Sequence, residues 1–353
     1  MKKVYVNGKF FCQPVTGTQR YARELLNQID KLSSEEAYRN FAFEILVPKS
    51  AYSIPHYANL RVRAVGRLNG TGWEQLELPL YCGGQILVTL SGGAPILYPR
   101  NVIAIHDAAV FAAPAGYSMA YRVWYRNLYR IMARKAKHIL TNSNFSKSEI
   151  VKWCGATPEH ISVTYLGSDH FSSVETDSTA LARFGICGAY VLAVSSHNPN
   201  KNFSRLGMAL KHLKEGGIEV VIAGGQDSRV YRDGMRPPGE IRTLGYVSDS
   251  ELKALYENAA CFVFASLYEG FGLPPLEAIS AGCPIVVSRV ASLPEIFEGT
   301  AVFCDPYSPD DIANAVERAL QSPPAPSEEL KAFARKFNWD KCARETLDAL
   351  NRI

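Results

Sequence analysis

From end to end the chain alternates short apolar runs with amphipathic stretches, and this alternation limits its folds more than any other feature. In the first half, KKVYVNG, FAFEILVP, LRVRAV, QILVTL, NVIAIHD, HILTNS and ISVTYLG read as strands, with helical patterns such as Gln19–Asp30 and Ser118–Lys137 between them. In the second half, YVLAVSS, IEVVIAGG, IRTLGYV, CFVFAS, PIVVS and AVFCDP are near-continuous apolar runs, again separated by helical segments. Runs of that kind fit parallel strands covered on both faces. Strands alternating with helices predict an α/β chain with two doubly wound parallel sheets. A length of 353 residues agrees with two domains, at roughly 150 residues each.

Local punctuation supports this parsing. Ser248-Asp249-Ser250-Glu251 is a capping box that opens a helix over Leu252–Asn258. Ser308-Pro309-Asp310-Asp311 puts Ser at the N-cap, Pro at the first helical position and acids in the first turn. Ser146-Lys147-Ser148-Glu149 opens another helix, which makes Glu149 a structural acid. The polar stretch SSVETDSTA sets a boundary near Gly167–Thr179, so the domains cover residues 1–170 and 171–332. A second break, QSPPAPSEE, precedes a helical tail, and periodicity does not say which half that tail packs on.

Composition removes several classes. At 47% hydrophobic and 20% charged, the chain is neither disordered nor fibrous. The start, MKKVYVNGKFF, lacks the apolar run of a secretory signal. Nowhere are there about 18 consecutive apolar residues, as a membrane span needs. Eight cysteines with no CxxC spacing fit buried, reduced thiols of the cytoplasm. Residues 1–170 carry 20 Lys and Arg against 11 Asp and Glu, whereas residues 171–353 carry 18 against 23. A basic half suggests an anionic partner, and an uneven solvated surface is the plain alternative. There is no GxGxxG, no P-loop, no HExxH, and no Asp-x-Asp to hold a divalent metal against a nucleotide diphosphate. Nucleic acid is not an expected partner.

The chemistry sits at strand ends. CFVFAS runs into LYEGFGLPPLEAISAG, where Gly270, Gly272, Pro274 and Pro275 delay a helix until about Pro275–Leu276. Ligands of open α/β sheets bind outside the carboxyl ends of strands, and a helix N-terminus there attracts phosphate. Glu269 before the turn and Glu277 in the first helical turn offer carboxylates to sugar hydroxyls. Each also reads as an ordinary loop or helix-end acid. After YVLAVSS, Lys201 stands at a helix entry where its ammonium meets a diphosphate; an exposed lysine is the alternative. Gly17, in Thr16-Gly17-Thr18, allows close backbone approach. His106 and Asp107 end an apolar strand and face a cleft, or else His106 is a satisfied core histidine.

TGTQRYARELL, WEQLELPL, VIAIHDAAVF, ILTNSNFSKSEI, YLGSD, NPNKNF, LGYVSDSEL, YEGFGLPPLEAISAGCPIVVS, LPE and DPYSPDDIANAV resemble, in this order, the segments of retaining GT-B glycosyltransferases of family 4. KFNWDKCARETL resembles the family's tail, so the likeness covers nearly the whole chain. The resemblance implies two Rossmann-like domains facing across a cleft. It places the last helix, about 333–353, back on an acceptor-side N-terminal domain, and the nucleotide-sugar on the C-terminal domain. It implies that Glu277 binds donor ribose hydroxyls and Glu269 faces the sugar ring. Phe271, Gly272 and Leu273 then contact sugar or phosphate through backbone amides. Lys201 and Gly17 approach the diphosphate, His106 with Asp107 lies by the reacting side of the sugar, and Tyr246 and Val247 lie beside the base. It implies no metal and no cofactor beyond the donor. Many relatives have Arg-Lys-Asn where this chain has Asn200-Lys201-Asn202, and some carry an Arg at the position of Ser195. The diphosphate therefore meets one cation instead of two, unless the first half supplies another or binding awaits cleft closure.

The implied reaction is hexosyl transfer with retention, the leaving phosphate taking the acceptor's proton. The expected donor is GDP-mannose. The expected acceptor is a glycan or polyprenyl-diphosphate-linked sugar in surface polysaccharide or lipopolysaccharide assembly. A GT-B epimerase or phosphorylase, or an inactive nucleotide-sugar-binding module, is the alternative. Arg122, Arg126, Arg130 and Arg134 recur every fourth residue, opposite a face of Tyr121, Trp124, Tyr125, Leu128, Ile131 and Met132. Such a stripe fits an anionic membrane surface, hence peripheral association on the cytoplasmic face, or a solvated basic face over an aromatic core.

Overall fold

The computed structural model describes residues 1–194, 198–209, 218–224 and 242–353. The chain divides into two compact units: Met1–Ala108, Trp124–Leu166 and Trp339–Ile353 form the first, and Ala109–Val123 with Gly167–Asn338 the second. Ser195, the last residues of YVLAVSS and IEVVIAGG, and the first of IRTLGYV lie outside the described residues.

The first unit holds a seven-stranded parallel sheet. Its strands are β1 (Lys2–Asn7), β2 (Phe41–Val47), β3 (Arg61–Ala64), β4 (Ile86–Thr89), β5 (Asn101–Ala104), β6 (His138–Thr141) and β7 (Ile161–Val163), in the order β3-β2-β1-β4-β5-β6-β7. β1 is central in register, with Val4 opposite Phe43 on one side and Ile86 on the other. Strands β4 and β5 are buried along their whole length, which explains their unbroken apolar runs. β3 is exposed throughout and carries Arg61 and Arg63, charges that protect a free sheet edge from further pairing.

The second unit holds a parallel sheet of six strands among the described residues. They are β8 (Tyr190–Val194), β9 (Glu219–Ala223), β10 (Arg242–Gly245), β11 (Cys261–Phe264), β12 (Ile285–Ser288) and β13 (Ala301–Cys304), in the order β10-β9-β8-β11-β12-β13. One side of this core joins Val191, Ile222, Val263 and Val286 to Leu206, Ile312 and Val316 from helices. Both sheets start from a strand pair and extend in two directions, as doubly wound sheets do.

Several helix boundaries differ from the pattern. Ser143, not Ser146, caps the helix Asn144–Cys154, its side chain accepting from Ser146 N at 3.0 Å. Ser146 Oγ instead donates to the His106 carbonyl at 2.9 Å. Glu149 is structural, accepting from Trp153 Nε1 at 2.9 Å. The capping box at Ser248 is present, and Ser308 caps Pro309–Gln321. The tail is two helices, Ser327–Ala334 and Trp339–Asn351. The last helix belongs to the first unit, where Trp339 is fully buried near Tyr21 and Arg344 forks onto Glu35 at 2.8 and 2.9 Å. Six of the eight cysteines are buried, whereas Cys187 is exposed and Cys12 partly so.

An ion pair locks the first crossover. Glu74, 1% exposed on the π-helical turn Trp73–Glu77, accepts from Asn7 Nδ2 at 2.9 Å and pairs with Lys9 Nζ at 2.5 Å. Burial raises its carboxyl pKa even with the lysine beside it. A buried charge that loses its partner is left uncompensated. Lys9→Met is therefore expected to lower stability by about 3–5 kcal/mol. Adding Glu74→Gln should recover part of that loss. Denaturant unfolding of the two variants checks this, and an unchanged Lys9→Met midpoint would overturn it.

Candidate active site

In the second unit, loops leaving the carboxyl ends of four strands are tied together. Asn202, in the left-handed region at φ 63°, donates through Nδ2 to Ala265 O at 3.0 Å and to Pro306 O at 2.7 Å. Leu267 N donates to Asn200 O at 2.7 Å, and Ser292 Oγ to Glu269 O at 3.0 Å. The loop after β8 is thereby fixed to those after β11 and β13, and the loop after β11 to that after β12.

Within this frame Lys201 and Glu269, far apart in sequence, meet. Lys201 Nζ lies 2.6 Å from Glu269 Oε1 and 4.7 Å over the Phe264 ring. Both side chains keep a minority of their surface open, so the pair borders solvent. The two asparagines flanking Lys201 serve the loop. Asn200 Nδ2 donates to Ala113 O at 3.3 Å, and Asn200 N to Asn198 Oδ1 at 2.9 Å.

The helix begins at Leu273, two residues earlier than the prolines suggest. Pro274 and Pro275 sit in the first turn, where a helix has no use for their missing N–H. Glu277 consequently lies in the second turn rather than the first. Gly272 is the N-cap at φ 100°, and a Cβ there would stand 2.8 Å from Leu293 Cδ2 and 3.0 Å from Phe297 Cε2. Only glycine fits that conformation and that gap. Phe271 is buried against the Phe337 ring, and Leu273 is buried as well. Glu277 is 7% exposed, its Oε1 3.2 Å from His170 Nε2. Tyr246 and Val247 follow β10, which β9 separates from β8; Tyr246 is 81% exposed and Val247 buried.

The other candidates belong to the first unit. Gly17 opens the helix Gly17–Leu32 after Thr16, and a Cβ on it would meet no atom within 4 Å. Gln19 Nε2 bridges Gln13 Oε1 at 2.7 Å and Ser91 Oγ at 3.4 Å, so the loop after β4 supports this helix start. His106 and Asp107 follow β5 and are partly buried. His106 packs edge-on to Tyr21 with ring centres 4.6 Å apart. Its Nε2 lies 3.0 Å from Leu90 O. A carbonyl only accepts, so Nε2 carries the hydrogen and Nδ1 is the ring's acceptor. Burial pushes the imidazole pKa down to about 4, so the ring is neutral at pH 7.

The arginine stripe is partly spoken for. Arg130 Nε donates to Trp153 O at 3.2 Å, and the Arg134 guanidinium lies against Gly155, which ends the helix Asn144–Cys154. Cations there complement the negative end of the helix. The face opposite is not a uniform core: Leu128 and Met132 are buried, but Trp124 is 52% exposed.

Comparisons with known proteins agree on a family. The family model described as glycosyl transferases group 1 matches residues 188–337. The O-antigen chain mannosyltransferase B of Escherichia coli is 34% identical over 269 residues, 71% of this chain and 70% of that protein. The O-antigen chain mannosyltransferase RfbU of Salmonella typhimurium is 27% identical over 275 residues, 76% of this chain and 74% of that protein. The chain belongs to the group 1 glycosyl transferases. Among solved structures, a sucrose-phosphate synthase from Thermosynechococcus elongatus matches with TM-score 0.75 and 17% identity, covering 100% of this chain and 99% of that one. Anabaena Alr3699/HepE in complex with UDP and glucose matches with TM-score 0.72 and 15% identity over 100% of both chains. These likenesses give the fold, a GT-B architecture of two Rossmann-like units.

For this glycosyltransferase, motif reading omits residues that hold the candidate loops of each unit in shape: His170, Asn202 and Ser292 in the second, and the Gln19–Ser91 contact in the first. His170 follows directly on the YLGSD segment, the one sequence signal for it. The His106 environment has a measurable consequence. The unfolded chain takes up a proton near pH 6.5 and the folded one only near pH 4. The unfolded state binds more protons between those values, so stability falls as pH drops through the window, by roughly 3 kcal/mol in full. Thermal unfolding from pH 7 to pH 4 is expected to show a shallower fall in His106→Gln than in the parent. Equal slopes would contradict a neutral, buried imidazole.

Proposed function

We propose that this glycosyltransferase transfers mannose from GDP-mannose to a glycan or polyprenyl-diphosphate-linked acceptor in surface polysaccharide assembly, with retention of configuration. The observation that carries this reading is the Lys201–Glu269 pair beside the Gly272 turn, at the carboxyl ends of the second sheet. Its likeness to the O-antigen chain mannosyltransferases of Escherichia coli and Salmonella supports the sugar and the acceptor class. The Anabaena protein was solved in complex with UDP-glucose, which supports a nucleotide-sugar in this fold.

In this reading the second unit, over roughly the sequence-defined domain 171–332, takes the donor, and the first unit takes the acceptor. Glu277 accepts from the ribose hydroxyls, and Glu269 faces the sugar. The amides of Phe271, Gly272 and Leu273, with Lys201, meet the diphosphate, and Tyr246 and Val247 border the base. Gly17 gives its helix start to phosphate. His106 Nδ1 accepts from a sugar hydroxyl, with Asp107 adjoining. The bond from the anomeric carbon to the diphosphate breaks with its electron pair on phosphate. The acceptor oxygen bonds on the same face, and its proton passes to the departing phosphate. Lys201 and the helix N-terminus offset the leaving charge, which makes a metal dispensable.

Incubation with GDP-mannose, UDP-glucose or a dTDP-sugar and a polyprenyl-diphosphate-linked glycan should give product with GDP-mannose, its anomeric configuration read by NMR. Lys201→Ala should lower kcat by about 10²–10³, and EDTA should leave the rate unchanged. An inverted product, or full activity in Lys201→Ala, would overturn the mechanism. Donor conversion without acceptor would point to an epimerase, and phosphate dependence to a phosphorylase.

Peripheral association with an anionic membrane on the cytoplasmic side is the second element of this reading. It is supported by exposed Met119, Val123 and Trp124 beside Arg122 and Arg126 on one helix. No helix among the described residues is long and apolar enough to cross a membrane. Flotation with anionic vesicles at low salt should carry the parent but not Trp124→Ser. No flotation of the parent would remove the membrane from the account, and equal flotation of both would remove Trp124 from the contact.

A further inference from the structure

Glu277 has a partner that motif reading does not supply. His170 Nε2 stands 3.2 Å from Glu277 Oε1, and both side chains are almost fully enclosed, at 5% and 9% exposure. His170 lies on the short turn Asp169–Phe171 at the start of the second unit's main segment. That turn is held from several directions. Ser168 N donates to Phe337 O at 3.2 Å, and Ser173 Oγ donates to His170 O at 3.0 Å. The His170 ring meets Phe171 edge-on at 5.5 Å, and Phe171 meets Tyr256 edge-on at 5.8 Å. Phe337 in turn packs on Phe271, the residue before the Gly272 turn. The histidine is thus set in a rigid aromatic bed shared with the glycine turn.

Stability alone does not call for this pair. A buried polar pair is often no more stabilising than apolar residues of the same volume. Fixing the plane of a carboxylate matters when it must accept from two adjacent hydroxyls at once, because a free carboxylate pays rotational entropy on binding. We propose that His170 is a positioning residue that orients the Glu277 carboxylate toward the ribose diol of the donor and so sets selectivity for ribonucleotides. This rests on the reading of Glu277 as the ribose-binding residue.

The test uses the full chain and isothermal titration with GDP and 2′-deoxy-GDP, and in parallel UDP and 2′-deoxy-UDP. The parent should bind the ribonucleotide more tightly than its deoxy counterpart. His170→Ala should weaken ribonucleotide binding about tenfold, which is 1.4 kcal/mol, while the deoxynucleotide changes little. His170→Gln, which keeps a donor near the same place, should restore part of the ratio. The double variant with Glu277→Ala should bind no worse than Glu277→Ala alone. If His170→Ala weakens both nucleotides equally, or keeps the parental ratio while Glu277→Ala abolishes it, the positioning role fails. If the ratio survives in Glu277→Ala, the ribose reading of Glu277 itself fails and takes this inference with it.

Discussion

A parallel strand returns to its sheet only through a crossover, so every loop that leaves a strand's carboxyl end emerges at the same edge. The rest of this molecule follows from that constraint. In the second unit it gathers the loops after β8, β11, β12 and β13 at one edge, where backbone carbonyls and side-chain amides can reach each other. Asn202, bound to the carbonyls of Ala265 and Pro306, uses that proximity, and so does Leu267, bound to Asn200 O. The strands carry no chemistry themselves. β8, β11 and β12, buried along nearly all their length, supply the base from which these loops leave.

Charge is distributed differently in the two units. In the second, Lys201 faces the Glu269 carboxylate and the π-face of Phe264, so its ammonium is balanced without ligand. On the proposed reading an incoming diphosphate competes with Glu269 for the lysine and frees that carboxylate for the sugar. In the first unit the ring of His106 is kept neutral by burial, and the Leu90 carbonyl fixes its tautomer. On the proposed reading the neutral ring offers Nδ1 as an acceptor for a sugar hydroxyl, whereas a cation there would oppose an oxocarbenium-like transition state.

How much of this the sequence discloses depends on whether the cause is local. The central strands are legible because burial on both faces makes them unbroken apolar runs, and the helix at Ser248 because its capping box is complete within four residues. The helix after the Gly272 turn starts two residues before its prolines suggest, because prolines are tolerated in a first turn and a proline pair in sequence does not reveal that tolerance. Ser146 looked like a cap but spends its hydroxyl on His106 O, a contact between elements. Arg130 and Arg134 looked like a free basic stripe, yet both attend the end of the neighbouring helix. Among candidate site residues, types were legible but pairings were not. Lys201 and Glu269 stand 68 positions apart, and His170 and Glu277 107.

The single lysine of the Asn200-Lys201-Asn202 loop has a packing reason. Asn200 is buried, its Nδ2 on Ala113 O, and a Cβ on Gly116 would come 3.4 Å from that same Nδ2 and 2.9 Å from Asn198 Oδ1. The segment 113–116 therefore occupies the space that a longer side chain at position 200 would need. An arginine there would have to displace this segment, or bury a guanidinium against a carbonyl already satisfied by a neutral amide. Asn202 is equally committed: its backbone is left-handed, its Nδ2 serves two carbonyls and its Oδ1 accepts from Arg205 Nη1 at 3.1 Å. The loop thus exchanges a second cation for a fixed path of the main chain. What it keeps is one lysine set between Glu269 and the Phe264 ring, and on the proposed reading it is that fixed position, rather than total charge, that a diphosphate would meet.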